Sequence, residues 1–193
     1  VLRRKGKSHG SKETRGKYSK GKSIRKRDKS VYSRQEAGHW EADTVVSGQG
    51  KSKACFATLA ERKTRFYIAM KIPDRRAETM ENAIVSMLSS FPPQLVKTIT
   101  CDRGAEFANW RQIEKRLHCD VYFADPYCAW QKGTNENLNG LLREFYPKGR
   151  NLSRVAPATL KRNLALLNAR PRKVLYFHSA QELWDFELNS CCT

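Results

Sequence analysis

From residue 37 onward the chain alternates between two hydrophobic periods. Residues 39–48 (HWEADTVVSG), 53–64 (KACFATLAERKT) and 65–72 (RFYIAMKI) are short runs of β-branched, aromatic and small apolar residues. The gaps between them are hairpin-sized, so they read as three antiparallel strands. The period then lengthens. Met80, Ile84, Met87, Leu88 and Phe91 recur at helical spacing, and Pro92-Pro93 stops that helix. A buried-type strand (LVKTITCD, 95–102), an amphipathic helix (ANWRQIEKRLH, 108–118) and a fifth strand (DVYFAD, 120–125) follow. Two last helices cover APATLKRNLALLNAR (156–170) and SAQELWDFEL (179–188). Three strands followed by alternating helices and strands predict an α/β domain over residues 37–190, a five-stranded mixed sheet flanked by helices.

The helix within GTNENLNGLLREFYPKGR (133–150) is unusual. Leu138, Leu141, Leu142 and Phe145 form a stripe at i, i+3, i+4 and i+7, but its start holds Asn135, Asn137, Asn139 and Gly140, all poor helix formers. At about 100° per residue, Glu136 and Arg143 lie only about 20° apart, with Gly140 between them on a face turned away from the leucines. One face serves the core; the other presents a carboxylate, a gap and a guanidinium.

Charge adds a partner class. The 193-residue chain carries net charge +18. Residues 1–36 hold fourteen Lys/Arg against Glu13, Asp28 and Glu36 and almost nothing apolar, so they read as a basic flexible arm or linker. Such basicity points to nucleic acid before membrane. The N-terminus has no apolar stretch of the secretory kind, and no run approaches the 18 residues of a membrane span. A cytoplasmic location close to nucleic acid is the corresponding expectation. The six cysteines form no CxxC pair, and His118-Cys119 lacks a second half at zinc-site spacing.

Three acids stand where chemistry would want them. Asp43 interrupts an apolar strand, where an unpaired carboxylate is costly to bury. Asp102 ends the fourth predicted strand, and sites in open α/β sheets form at strand ends. Glu136 lies on the weak turn of the helix. Singly, each has a plain structural explanation: a strand-end cap, turn chemistry before Arg103-Gly104, a solvated helix face. Together they would repel unless a cation joined them. A pair of Mg²⁺ ions, with Mn²⁺ as the alternative, suits carboxylates, waters and phosphate oxygens and serves phosphoryl transfer. Lys132, Arg143, Lys148 and Arg150, with Trp130 and Tyr146 interleaved, are the expected DNA-backbone contacts. Tyr127 and Tyr146 are packing or base-stacking residues, with packing favoured. Arg170, Arg172 and Lys173 form a second basic cluster that also suits a helix C-terminus.

The segments GHWEADTV (38–45), ERKTRF (61–66), TCDRGAEFA (100–108), YFADPYCAWQKGTNENLNGLLREFYPKG (122–149) and LNARPRKVL (167–175) resemble the catalytic domain of the IS30 family of bacterial transposases, a DDE group with a retroviral-integrase-like core. The resemblance spans about residues 24–188. It implies an RNase H-like fold and a catalytic, metal-binding triad of Asp43, Asp102 and Glu136. The 33 residues between the last two, and a basic residue seven after the Glu, are typical of the group. It also implies Mg²⁺-dependent cleavage of double-stranded DNA at element ends, strand transfer into target DNA, and a homo-oligomer during synapsis. Ala42 stands where the family usually has Gly, and FHSAQELW replaces a usual Thr-Pro. The family's N-terminal helix-turn-helix region is expected to be absent, only the basic arm preceding the core. The alternatives are a catalytically inactive DNA-binding remnant of a truncated element and an RNase H-like nuclease.

Overall fold

The structure is a computed structural model and describes residues 21–126 and 128–191. Strands β2 (His39–Val46), β3 (Cys55–Glu61) and β4 (Tyr67–Ile72) form the expected antiparallel meander. Helix α2 (Ala77–Leu88) leads to β5 (Thr98–Cys101), which lies parallel to β2. Helix α3 (Trp110–Leu117) then leads to β6 (Asp120–Phe123), parallel to β5. Helices α4 (Gly133–Phe145), α5 (Pro157–Ala169) and α6 (Ala180–Ser190) complete the core.

β3 is buried along its whole length, and its alternating side chains feed two separate cores. Cys55, Ala57 and Leu59 join Trp40, Met80, Ile84, Leu88, Ile113, Val121 and Trp184 on the α2–α3 face. Phe56 and Ala60 join Val45, Tyr67, Leu138, Leu142, Tyr146, Leu160, Leu164 and Leu167 on the α4–α5 face. The period-2 alternation of a strand makes this division, and the leucine stripe of α4 is what the second core binds. None of the described helices is long and apolar enough to cross a membrane.

The sheet has six strands rather than five. The sixth comes from the segment read by composition as a basic arm. Its first twenty residues lie outside the described ones, but Lys22–Ser23 (β1) pairs parallel with β6 and sets the order β1-β6-β5-β2-β3-β4. A 3₁₀ turn (Ile24–Lys26) and a short helix, α1 (Ser30–Ser33), follow, burying Ile24 and Val31. The cations here serve distant acids: Lys22 pairs with Asp120 and Glu114, Arg25 with Asp125. Arg27 is buried, donates to Thr100 Oγ1 at 2.8 Å and lies over the Tyr32 ring. Average composition hides two apolar anchors and partners about a hundred positions away. Ile24→Ala should therefore destabilise the domain by about 2–5 kcal/mol. A mobile arm would give no change in the urea midpoint; a docked segment gives a clear fall.

Candidate active site

β2 and β5 put the first two acids together through their register. His39 pairs with Thr98 and Glu41 with Thr100, so the next step along both strands sets Asp43 level with Asp102. Trp40 and Ala42 face the α2–α3 core, which leaves Glu41, Asp43 and Val45 facing α4. Asp43 Oδ1 accepts from its neighbour Thr44 N at 2.9 Å, and Asp102 Oδ1 from Gly104 N at 2.9 Å.

The cation between them is Lys132. Its Nζ lies 3.5 Å from Asp43 Oδ1 and 3.6 Å from Asp102 Oδ2, and donates to the Ala42 carbonyl at 3.1 Å. Lys132 is only 8% exposed, so this residue, expected as a DNA contact, is an internal counter-ion. Burial opposes its charge, yet Asp43 and Asp102 together outweigh that and hold its pKa above the ordinary lysine value. Burial likewise pushes the Asp43 carboxyl up, with Lys132 opposing.

Helix α4 runs alongside β2 in the same direction, and its asparagines make the connection. Glu41 is wholly buried, pairs with Arg62 and accepts from Asn135 N at 2.9 Å, so a carboxylate sits at the positive end of α4. Asn135 Nδ2 donates to the Glu41 carbonyl at 2.6 Å, and its Oδ1 accepts from Thr58 Oγ1 at 3.2 Å. One turn on, Asn139 Nδ2 donates to Asp43 Oδ2 at 3.0 Å while its Oδ1 accepts from Tyr67 OH at 2.6 Å. Arg143, another turn on, donates to the Val46 carbonyl at 2.9 Å. The residues that weaken the helix as a helix are those that fasten it to the acid strand. Asn135→Ala should lower stability by about 1–3 kcal/mol, since it strips hydrogen bonds from buried groups, and chemical denaturation measures this directly.

Glu136 is exposed, one turn before Asn139 and Gly140. Among the described residues no three acids, His or Cys stand close enough together to hold one metal ion. Asp43 and Asp102 meet; Glu136 stands apart from them. Two adjacent carboxylates nevertheless fit a hard divalent cation that keeps most of its waters. Lys148 and Arg150 are exposed, and Trp130 is 72% exposed. Tyr146 is buried edge-on against Phe56 and accepts from Asn163 Nδ2, a packing residue. Tyr127 lies outside the described residues. Arg172 of the second basic cluster is spent on the Arg65 and Leu167 carbonyls, and Arg170 faces Glu144.

Glu106 was not anticipated. It is buried, accepts from Thr44 Oγ1 at 3.2 Å and lies 3.9 Å from Arg75, tying the Asp102 loop to β2 beside Asp43. Gly104 lies against both acids: a Cβ there would meet the Glu106 carboxylate and stand 2.9 Å from Asp102 Oδ1, so those side chains would have to shift. Glu41 carries no local signal, and Asn135 and Asn139 stand out in the sequence only as poor helix formers. The i, i+4 spacing of the asparagines beside Leu138 and Leu142 was the available signal.

The chain is similar to known proteins in sequence and in fold. Residues 33–129 match the integrase core domain. The chain is 38% identical over 165 residues to a probable transposase for the insertion-like sequence element IS1161 of Streptococcus salivarius, covering 86% of this chain and 46% of that protein. It is 36% identical over 182 residues to the InsI transposase for insertion sequence element IS30C of Escherichia coli K12, covering 93% and 47%. With the transposase for IS4351 of Bacteroides fragilis the identity is 34% over 193 residues, covering 97% and 58%. The chain thus spans about half the length of the curated relatives it matches. The catalytic core domain of BIV integrase superposes with a TM-score of 0.61 at 18% identity, covering 81% of this chain and 99% of that one. The fold is RNase H-like, as that core's is. With half its length matching the domain, the chain belongs to the integrase core domain family.

Proposed function

We propose that the chain is the catalytic core of an insertion-sequence transposase, which cuts double-stranded DNA at element ends and transfers the freed 3′-OH to target DNA in the bacterial cytoplasm. The observation that carries this reading is the Asp43–Asp102 pair, set side by side by the β2–β5 register and facing α4. Asp43 and Asp102 would hold divalent metal, Mg²⁺ by preference, with Glu136 as the third acid. Bound there, the metal supplies activation of the attacking oxygen and stabilisation of the leaving one.

The chain's own groups bind and orient the DNA. Gly140 is open: a Cβ there would meet nothing within 4 Å, so packing does not explain the glycine, and a sugar-phosphate backbone can come close to the helix. Lys148 and Arg150 would hold phosphates beyond it, and Trp130 offers an exposed ring for stacking. Asn139 and Lys132 hold Asp43 in place. Two element ends brought together would require at least two copies of the chain.

The test is a joining assay with pre-cleaved 3′-OH duplex ends and Mg²⁺ or Mn²⁺. Joined products that need metal support the proposal. Salt-sensitive duplex binding with no metal-dependent joining indicates a DNA-binding remnant, and efficient cleavage of RNA–DNA hybrid without joining indicates a nuclease.

A further inference from the structure

Beyond Val46 the β2–β3 hairpin meets the loop after α4 beside an open concavity of about 560 Å³, lined by Lys51, Arg150, Asn151 and Arg154. The lining holds three cations and no acid, and none of the three cations pairs with an acid among the described residues. The two loops are built together. Gly48 N donates to the Arg150 carbonyl at 2.9 Å, and a Cβ on Gly48 would run into the Gly149 carbonyl, so only glycine permits this approach. Leu152 N donates to Ser47 Oγ at 3.1 Å. The Arg150 guanidinium is aimed by the Phe145 carbonyl at 3.1 Å and by the Tyr146 ring beneath it. Asn151 Oδ1 accepts from Ser153 N and fixes the turn that carries Arg154.

We infer that this notch is a second phosphate site, which holds the backbone of the duplex flanking the strand presented to Asp43 and Asp102. The inference rests on the DNA reading above and adds where the duplex runs. Because α4 follows β2, the route from the acid pair to the notch passes Gly140 and Arg143. Asp43 and Gly48 are five residues apart, at most about 17 Å at 3.3 Å per residue. B-DNA advances about 3.4 Å per base pair, so the near edge of the notch lies within about five base pairs of the acids. Three like charges around one hollow repel, and a phosphodiester relieves that repulsion while accepting the paired N–H groups of arginine.

The experiment uses the whole chain and a 20-base-pair duplex, with affinity followed against salt. Lys51→Ala/Arg154→Ala should weaken binding about tenfold near 0.1 M salt. It should also flatten the log–log salt slope by about 1.8, the release expected for two phosphates. Lys161→Ala/Arg162→Ala, which removes two exposed cations from α5, should leave both quantities at the parent values. Equal melting temperatures establish that all three proteins fold. With the parent chain, lengthening a duplex past about five base pairs from the joined end should raise affinity; with the Lys51/Arg154 variant it should not. An unchanged slope in that variant, or an equal loss in the α5 variant, overturns the notch while the DNA reading stands. Failure of the parent chain itself to bind duplex overturns both.

Discussion

Asp102→Asn should abolish metal-dependent strand joining while leaving the fold and duplex binding nearly intact. The side chain is half exposed, and its Oδ1 accepts from Gly104 N at 2.9 Å, which an asparagine oxygen can still do. The loop therefore keeps its shape, and Glu106 continues to hold it through Thr44. What goes is one of two adjacent negative charges. A single part-buried carboxylate, already partly neutralised by Lys132, is a poor ligand for a strongly hydrated cation. The expected loss is at least about a thousandfold in joining rate, which corresponds to about 4 kcal/mol. Melting temperature should move by no more than about 2 °C, and affinity for duplex by no more than about twofold. Joining at the parent rate would remove Asp102 from the chemistry.

Lys132→Met should destabilise the domain and change how it responds to divalent cations. The ammonium touches both carboxylates and the Ala42 carbonyl, and no other described cation pairs with either acid. Methionine fills similar volume but leaves Asp43 and Asp102 facing each other. Breaking a buried ion pair costs about 3–5 kcal/mol, and the half-exposed Asp102 keeps the expected loss at the lower end, about 3 kcal/mol. A divalent ion held by Asp43 and Asp102 would compete with the Lys132 ammonium for the same two carboxylates. Added Mg²⁺ or Mn²⁺ should therefore raise the melting temperature of Lys132→Met more than that of the parent chain. The contrasting expectation, a lysine that contacts DNA phosphate, gives unchanged stability, an equal metal response and weaker duplex binding. Calorimetric melts with and without metal separate the two.

How much of this could be read beforehand differs by element. β2, β3 and β4 were legible because apolar residues cluster in strand-length runs, and α2 because five apolar residues keep a 3.6 period. Residues 21–36 are not legible in this way, since Ile24 and Val31 are two anchors in a stretch of cations, too few for any local pattern. The site divides in the same way. Asp43 and Asp102 stand out locally, as an acid inside an apolar strand and an acid at a strand end. Lys132 does not: nothing in QKGTNEN distinguishes an exposed cation from one turned inward.

By itself, then, the sequence determined most element types from residue 37 on, the mixed α/β class, the basic character and two aspartates as candidates, because periodicity and composition are local properties of a chain. The tertiary structure decided the pairings. Parallel register between strands more than fifty residues apart set Asp43 level with Asp102. The course of α4 along β2 turned Asn135 and Asn139 from poor helix formers into its fastenings, and carried Lys132 between the acids. These contacts join positions roughly 30 to 100 residues apart, and only burial and hydrogen-bond satisfaction within the packed domain select them.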